Sequence, residues 1–195
     1  MEEKKVLRKQ LLAKREEMSM EQINEISATI FEKIKNLDLY KEAKTIMVYV
    51  NYQKELNTSP FIQDMIADGK RVATPICNAD RTMTLALTTK FPEGFVETKM
   101  HILEIPIEDA IVVDPQELDL IITPGVAFGL NGDRIGYGGG FYDRLFATMP
   151  ERTKLLCPTF DDFIIEGIPM DVYDHKVDIL ISEKRSVFIG EDAKK

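Results

Sequence analysis

Two apolar runs restrict the fold of this chain more than any other feature. "TIMVYV" at 45–50 and "LDLIITPG" at 118–125 are too apolar through their centres to leave one face in water. Strands of that kind are covered on both faces, as in a parallel sheet flanked by helices. The intervening segments supply the helices. In "EKKVLRKQLLAKREE" (3–17), Leu7, Leu11, Leu12 and Arg15 recur at helical spacing. Ser19 with Gln22 is a capping-box signature. It opens a second helix reaching residue 36, with Ile23, Ile26, Ile30, Phe31 and Ile34 on the buried side. Thr58, Ser59 and Pro60 start a third helix that Gly69 ends.

"RVATPI" (71–76), "MTLALT" (83–88), "TKLLCPTF" (153–160), "VDILISE" (177–183) and "SVFIG" (186–190) read as further strands. "FYDRLFATM" reads as a helix, and 89–107, with Pro92, Gly94 and Pro106, as irregular. Helix and strand therefore alternate from residue 20 to residue 160. That pattern predicts an α/β fold of three layers, α/β/α, with a mostly parallel central sheet. No repeat or linker interrupts it, so one domain is expected over 1–195, its 1–36 helical pair packing on the sheet.

Composition then removes several function classes. With 44% hydrophobic and 30% charged residues the chain is of ordinary globular type. No apolar run approaches a membrane span, and "MEEKKVLRKQ" lacks a secretory apolar core. Cys77 and Cys157 stand far apart without a CxxC, which indicates neither a disulfide framework nor a zinc site. Each is expected to be a small buried apolar residue, and the chain is expected to be cytoplasmic. A net charge of −8 and a pI near 4.9 oppose duplex nucleic-acid binding. An anionic ligand here needs a local cluster of cations and main-chain amides.

"TPGVAFGLNGDRIGYGGGFYDRL" (123–145) offers one. Gly136, Gly138, Gly139 and Gly140 fall within five positions, after a strand and before a helix. Ligands of open α/β sheets bind beyond the carboxyl ends of the strands, and a glycine loop opening a helix presents free N–H groups to phosphate. A tight turn packed close to a neighbouring strand needs glycine as well. The Lys–Ser/Thr of a Walker A loop is missing, and "GYGGGF" fits GxGxxG poorly. Arg134, Asp143 and Arg144 shift the balance towards phosphate, since cations suit its oxygens and a carboxylate suits phosphate-bound magnesium. Lys4, Lys5, Arg8 and Lys9 form a second basic cluster, at a helix N-terminus where the dipole disfavours them. A solvated amphipathic face is the commoner account of such a run.

"RIGYGGGFYDR" closely resembles the signature of the 5-formyltetrahydrofolate cyclo-ligases, also called methenyltetrahydrofolate synthetases. The resemblance extends over nearly the whole chain: a basic N-terminal helix, a Glu-bearing turn after a strand, "ITPGVAF" ahead of the glycine loop, and the Asp-rich "MDVYDHKVDIL". It implies a fold like that of the NagB/RpiA/CoA-transferase proteins, and ATP-driven closure of 5-formyltetrahydrofolate to 5,10-methenyltetrahydrofolate with magnesium. By the same resemblance, Lys4, Lys5, Arg8, Arg134, Ile135, Gly136, Tyr137, Gly138, Gly139, Gly140, Phe141 and Tyr142 bind ATP. Arg134 and Tyr142 are the implied catalytic residues. Val50, Glu55, Tyr137 and Phe141 line the reduced-folate site, Tyr52 assisting, and Asp143 with Asp174 hold magnesium, His175 being a hydrogen-bonding neighbour. Family members often carry Tyr–Tyr where this chain has Phe141–Tyr142, so Phe141 is expected only as a stacking wall.

The partners implied are ATP and a reduced folate, with no nucleic acid, no membrane and a monomeric chain. Two other readings fit the glycine loop. One is a sugar-phosphate isomerase or CoA-transferase-like enzyme holding a substrate phosphate, which needs no ATP. The other is a regulatory domain that binds nucleotide without turnover.

Overall fold

In the computed structural model, which describes residues 2–190, the parallel strands gather at the centre of a seven-stranded sheet. Met1 and residues 191–195, the ends of the expected 1–195 domain, lie outside the described residues. The chain begins with helices α1 (Glu2–Glu16), α2 (Met20–Asn36) and the short α3 (Asp38–Glu42), then enters strand β1 (Thr45–Val48). Helix α4 (Ser59–Ala67) leads to β2 (Arg71–Cys77) and β3 (Met83–Thr88), followed by the two-residue pair β4 (Val96–Glu97) and β5 (Leu103–Glu104). β6 (Leu120–Ile122), the small β7 (Ala127–Phe128) and β8 (Arg134–Ile135), α5 (Phe141–Phe146), β9 (Lys154–Pro158), β10 (Ile179–Ile181) and β11 (Ser186–Phe188) complete it.

The sheet order is β11-β10-β9-β6-β1-β2-β3. The strands from β10 to β2 pair in parallel, and the edge strands β11 and β3 are antiparallel. Alternate residues of each central strand enter opposite cores. Ile46, Val48, Leu120, Ile122, Leu156, Ile179 and Ile181 join one apolar cluster. Met47, Ile121, Leu155, Cys157 and Leu180 join the other. This is the two-sided burial that the apolar runs demanded.

The two faces are covered unequally. On the first lie Leu11 of α1, Ile23, Ile30, Phe31 and Ile34 of α2, and Phe61, Ile62 and Met65 of α4. Helix α2 starts at the expected cap: Gln22 N–H donates to Ser19 Oγ at 3.1 Å, and Ser19 N–H to Gln22 Oε1 at 2.9 Å. Among the described residues the second face is covered by Leu145 and Phe146 of six-residue α5, with Val113, Leu118, Phe128 and Val177 beside them. Asp119 ties the starts of neighbouring strands, its Oδ2 accepting the Lys44 and Thr45 amides at 2.8 and 2.9 Å.

Several boundaries differ from expectation. The runs 45–50 and 118–125 pair only over 45–48 and 120–122, and the helix from Phe141 stops at Phe146 rather than 149. Pro124 has no N–H for a ladder, so the chain leaves the sheet there. The 89–107 segment contains the β4–β5 pair, Val96 opposite Glu104. Helix α3 has no counterpart in the sequence reading. Cys157 is buried as expected, but Cys77, at the outer end of β2, is exposed.

The order of the parallel strands positions the site. From β1 the chain moves outward to β2, then crosses back to β6 on the other side of β1. A sheet whose direction of winding reverses there opens a crevice between the carboxyl ends of those two strands. Phe61, 1% exposed and stacked on Phe31 at 4.6 Å between centroids, anchors the helical layer behind it. Phe61→Ala should therefore cost about 3–5 kcal/mol, read as a lower urea midpoint with an unchanged slope.

Candidate active site

Past the end of β1, the buried residues Tyr49 and Val50 lead into a turn that closes on Glu55. Glu55 N–H donates to Tyr52 O at 3.0 Å, and Tyr52 N–H returns a bond to Glu55 Oε2 at 2.7 Å. The carboxylate is 5% exposed and faces a cavity shared with Arg15, Tyr49, Gly125, Phe160 and Phe163, at the mouth of the crevice. Burial pushes its pKa up, while the Tyr137 hydroxyl, the Tyr52 amide and the Arg15 charge oppose that rise. Burial likewise pushes the Tyr49, Tyr137 and Tyr142 hydroxyls up, leaving them neutral donors at physiological pH. A buried, hydrogen-bonded carboxylate beside an arginine is equipped to accept paired N–H bonds from a flat heterocycle.

The glycine loop lies across the same edge. None of the amides of residues 136–140 donates to a protein acceptor among the described residues. Three of their carbonyls are held instead. Gly136 O accepts from Arg8 Nε at 2.6 Å, and Gly139 O and Gly140 O accept from Arg144 Nη1 at 3.2 and 3.0 Å. In a trans peptide the C=O and the next N–H point in opposite directions. The arginines therefore turn the N–H groups of Tyr137, Gly140 and Phe141 away from themselves and out of the loop.

Alternate glycines make room for these cations. A Cβ on Gly136 would meet Arg134 Nη1 at 2.9 Å, one on Gly138 would meet Arg8 Nη1 at 3.2 Å, and one on Gly140 would meet Arg144 Nη1 at 2.8 Å. Gly138 and Gly140 also adopt φ of +93° and +71°, which residues with a Cβ avoid. Free amides on one side of a loop whose other side is braced by close-packed guanidinium groups form an anion cradle in a chain that is acidic overall.

Arg134 itself is 3% exposed. Its Nη2 donates to Asp143 Oδ1 at 2.8 Å and its Nη1 to Pro124 O at 3.4 Å, and the guanidinium sits over the Tyr142 and Phe146 rings. Its buried Nε has no hydrogen-bond partner among the described residues. Asp143 Oδ1 also accepts the His175 amide at 3.4 Å. Asp174, the residue before, accepts the Asp171 amide at 2.6 Å and pairs with the ammonium of buried Lys4. Burial raises the Asp174 pKa, but the Asp171 amide and Lys4 outweigh it and leave the carboxyl below its usual range.

These bonds fall on Oδ1 of Asp143 and Oδ2 of Asp174. Each carboxylate retains one oxygen without a protein hydrogen bond among the described residues. That donor set fits magnesium, which takes one or two carboxylate oxygens and completes its shell with water and phosphate.

Most of the expected residues thus converge: Lys4, Arg8, Arg134, the loop 136–140, Tyr137, Tyr142, Asp143 and Asp174 around the cradle, with Glu55 beside it. Phe141, half-buried at the start of α5, adjoins them, its ring 2.7 Å from a Cβ built on Gly139. Others stand apart. Lys5 is on the exposed flank of α1, and the Ile135 side chain is fully buried in the core, leaving only its main chain near the loop. Val50 belongs to the core beneath the Glu55 turn, and the Tyr52 hydroxyl accepts from Gln53 Nε2 at 2.6 Å rather than meeting Glu55.

Sequence reasoning missed the role of Arg15. The signal was available: a charged residue on the apolar stripe of the first helix, where only a paired cation can be buried.

Gly138→Ala should lose about 1–2 kcal/mol of stability through the left-handed backbone, a shift of a few degrees in a thermal melt. Calorimetric titration of the folded variant with ATP should then show no binding. Wild-type affinity would mean that the amides do not hold the nucleotide.

A family model described as the 5-formyltetrahydrofolate cyclo-ligase family matches residues 1–183. The 5-formyltetrahydrofolate cyclo-ligase of Escherichia coli (strain K12) is 31% identical over 134 residues, 68% of this chain and 74% of the relative. A probable 5-formyltetrahydrofolate cyclo-ligase of Caenorhabditis elegans is 29% identical over 196 residues, 87% of each chain. Among solved structures, the NMR structure of Aquifex aeolicus 5,10-methenyltetrahydrofolate synthetase superposes with a TM-score of 0.85 at 28% identity, covering 96% of this chain and 93% of that one. With the family model matching residues 1–183 and the relatives and the solved fold in agreement with it, this chain belongs to the 5-formyltetrahydrofolate cyclo-ligase family.

Proposed function

We propose that this protein closes 5-formyltetrahydrofolate to 5,10-methenyltetrahydrofolate at the expense of ATP, releasing ADP and phosphate. The observation that carries the reading is the run of unpaired amides at 136–140, set over arginines and next to buried Glu55. It offers a polyanion and a pterin adjacent seats on one strand edge.

The reaction needs an activated formyl oxygen, because an amide-like carbonyl is a poor electrophile. Attack of that oxygen on the γ-phosphorus breaks the bond to the β-phosphate bridging oxygen, and ADP leaves. N10 of the same folate then adds to the iminium carbon and loses its proton. Expulsion of phosphate with the C–O bond electrons leaves the methenyl cation. No enzyme nucleophile enters these steps. The chain contributes in-line positioning and charge neutralisation.

In this reading the loop amides, Arg8 and Lys4 receive the phosphates, and Glu55 orients the pterin through its amino-pyrimidine edge. Arg134 keeps Asp143 aimed at the phosphate side, and Tyr142 and Phe141 wall the reacting centre. Asp143 and Asp174 would hold magnesium, which supplies neutralisation of the phosphate charge. A cytoplasmic, monomeric, single-domain enzyme completes the proposal. No helix among the described residues is long and apolar enough to cross a membrane.

The test is to mix purified protein with 5-formyltetrahydrofolate and Mg-ATP and follow methenyl absorbance. Product should appear only with ATP present. Turnover of a sugar phosphate or a CoA thioester without ATP would favour the isomerase or transferase reading, and nucleotide binding without product a regulatory one.

Glu55→Gln separates binding from stability. Burial raises the carboxyl above its ordinary 4.5, so the folded chain holds that proton more tightly than the unfolded one. The contribution to stability therefore falls as pH rises from 4.5 through the folded pKa. Glutamine removes that slope, and its melting temperature at neutral pH should equal or exceed that of wild type. Folate affinity has the opposite dependence, because the ionised form accepts the pterin N–H groups. In wild type it should weaken as pH drops through the raised pKa. In Glu55→Gln it should be weaker throughout and flat with pH.

A further inference from the structure

Arg15 belongs to α1, yet its guanidinium ends where the two halves of the site meet. It is 5% exposed. Its Nη1 donates to Gly125 O at 3.2 Å, its Nη2 donates to the Tyr137 hydroxyl, and the group lies 5.5 Å from the Tyr137 ring centroid. Gly125 follows the end of β6 at the crevice, whereas Tyr137 is inside the glycine loop. Arg15 also lines the Glu55 cavity. A planar fork of donors can fix a carbonyl and a hydroxyl at once, which a lone ammonium does not do.

Tyr137 is the link. Its hydroxyl lies between Arg15 and Glu55, and its own amide is one of the unpaired donors of the cradle. Arg8 holds the carbonyl of the same peptide, Gly136 O, from the other side. Tyr137 is otherwise 38% exposed, so its contacts with Arg15 are what locate its ring. A pterin seated on Glu55 would press on the same hydroxyl that sets the orientation of a phosphate-binding peptide.

Resting on the function proposed above, we infer that Arg15 is a positioning residue that couples folate binding to nucleotide binding, by holding Tyr137 between the Glu55 pocket and the glycine loop. Coupling of this kind is reciprocal: each ligand tightens the other by the same factor.

The experiment is calorimetric titration of 5-formyltetrahydrofolate, with and without a saturating non-hydrolysable Mg-ATP analogue, on wild type, Arg15→Lys, Arg15→Met and Tyr137→Phe. In wild type the analogue should tighten folate about fivefold or more, the lower end of ordinary coupling. The ratio should fall close to one in Arg15→Met and Tyr137→Phe, and Arg15→Lys, which keeps the charge but not the fork, should not restore it. Tyr137→Phe removes a single oxygen from a partly exposed side chain and decides the matter should Arg15→Met fail to fold.

An unchanged ratio in Tyr137→Phe, full restoration by lysine, or a ratio of one in wild type that nevertheless binds folate and turns it over would overturn the coupling alone. Absence of any folate binding to wild type would overturn the functional reading, and the coupling with it.

Discussion

The site depends on guanidinium groups gripping main-chain carbonyls, from α1 at Gly125 and Gly136 and from α5 at Gly139 and Gly140. Residues 4, 8, 11 and 15 of α1 form a single stripe: Lys4 on Asp174, Arg8 on Gly136 O, Leu11 in the core and Arg15 on Gly125 O and Tyr137. At 1.5 Å per residue the cations span about 16 Å, from the Asp174 side of the cradle to the Glu55 pocket. Leu11 seats the helix on the sheet, and the charges on either side of it then have fixed positions. Without that stripe the Gly125 and Gly136 carbonyls would be free to rotate, and the Tyr137 amide would lose its direction.

Local electrostatics run against the whole-chain balance for the same reason. The molecule carries a net −8, yet the edge where β1 and β6 end collects Lys4, Arg8, Arg15, Arg134 and Arg144. Cations near the start of a helix oppose its dipole. Here Glu2 and Glu3 occupy that first turn, and Lys4 is neutralised by Asp174. The arrangement is tolerable because each cation has an acceptor. It is useful because most of those acceptors are main-chain oxygens, which leave the local charge positive.

Much of this was legible in residue order. The apolar runs at 45–50 and 118–125 demanded burial on both faces, and the Ser19–Gln22 box located the second helix within a residue. The motif at 134–144 led to the cradle because glycine density and flanking charge are local properties. What stayed hidden depended on contacts between distant segments. The strand runs end early because Pro124 and the Glu55 turn redirect the chain into the crevice. Arg15 meets Tyr137 across more than a hundred residues, and no spacing rule reaches that far. Ile135 lies inside the recognised motif, yet alternation on β8 points its side chain into the core. Cys77 was misjudged as buried because an apolar strand gives no sign of where it emerges at its outer end.

The near-complete burial of Arg134 bears on ionic strength. A guanidinium stripped of water as the chain folds sheds no counterions when a ligand arrives, and charges in a dry setting are little screened by dissolved ions. Potassium chloride should therefore loosen the Arg134–Asp143 pair far less than ion pairs made by lysines on the open surface. An acidic chain can in this way keep a buried charge pair intact at high salt without a basic exterior.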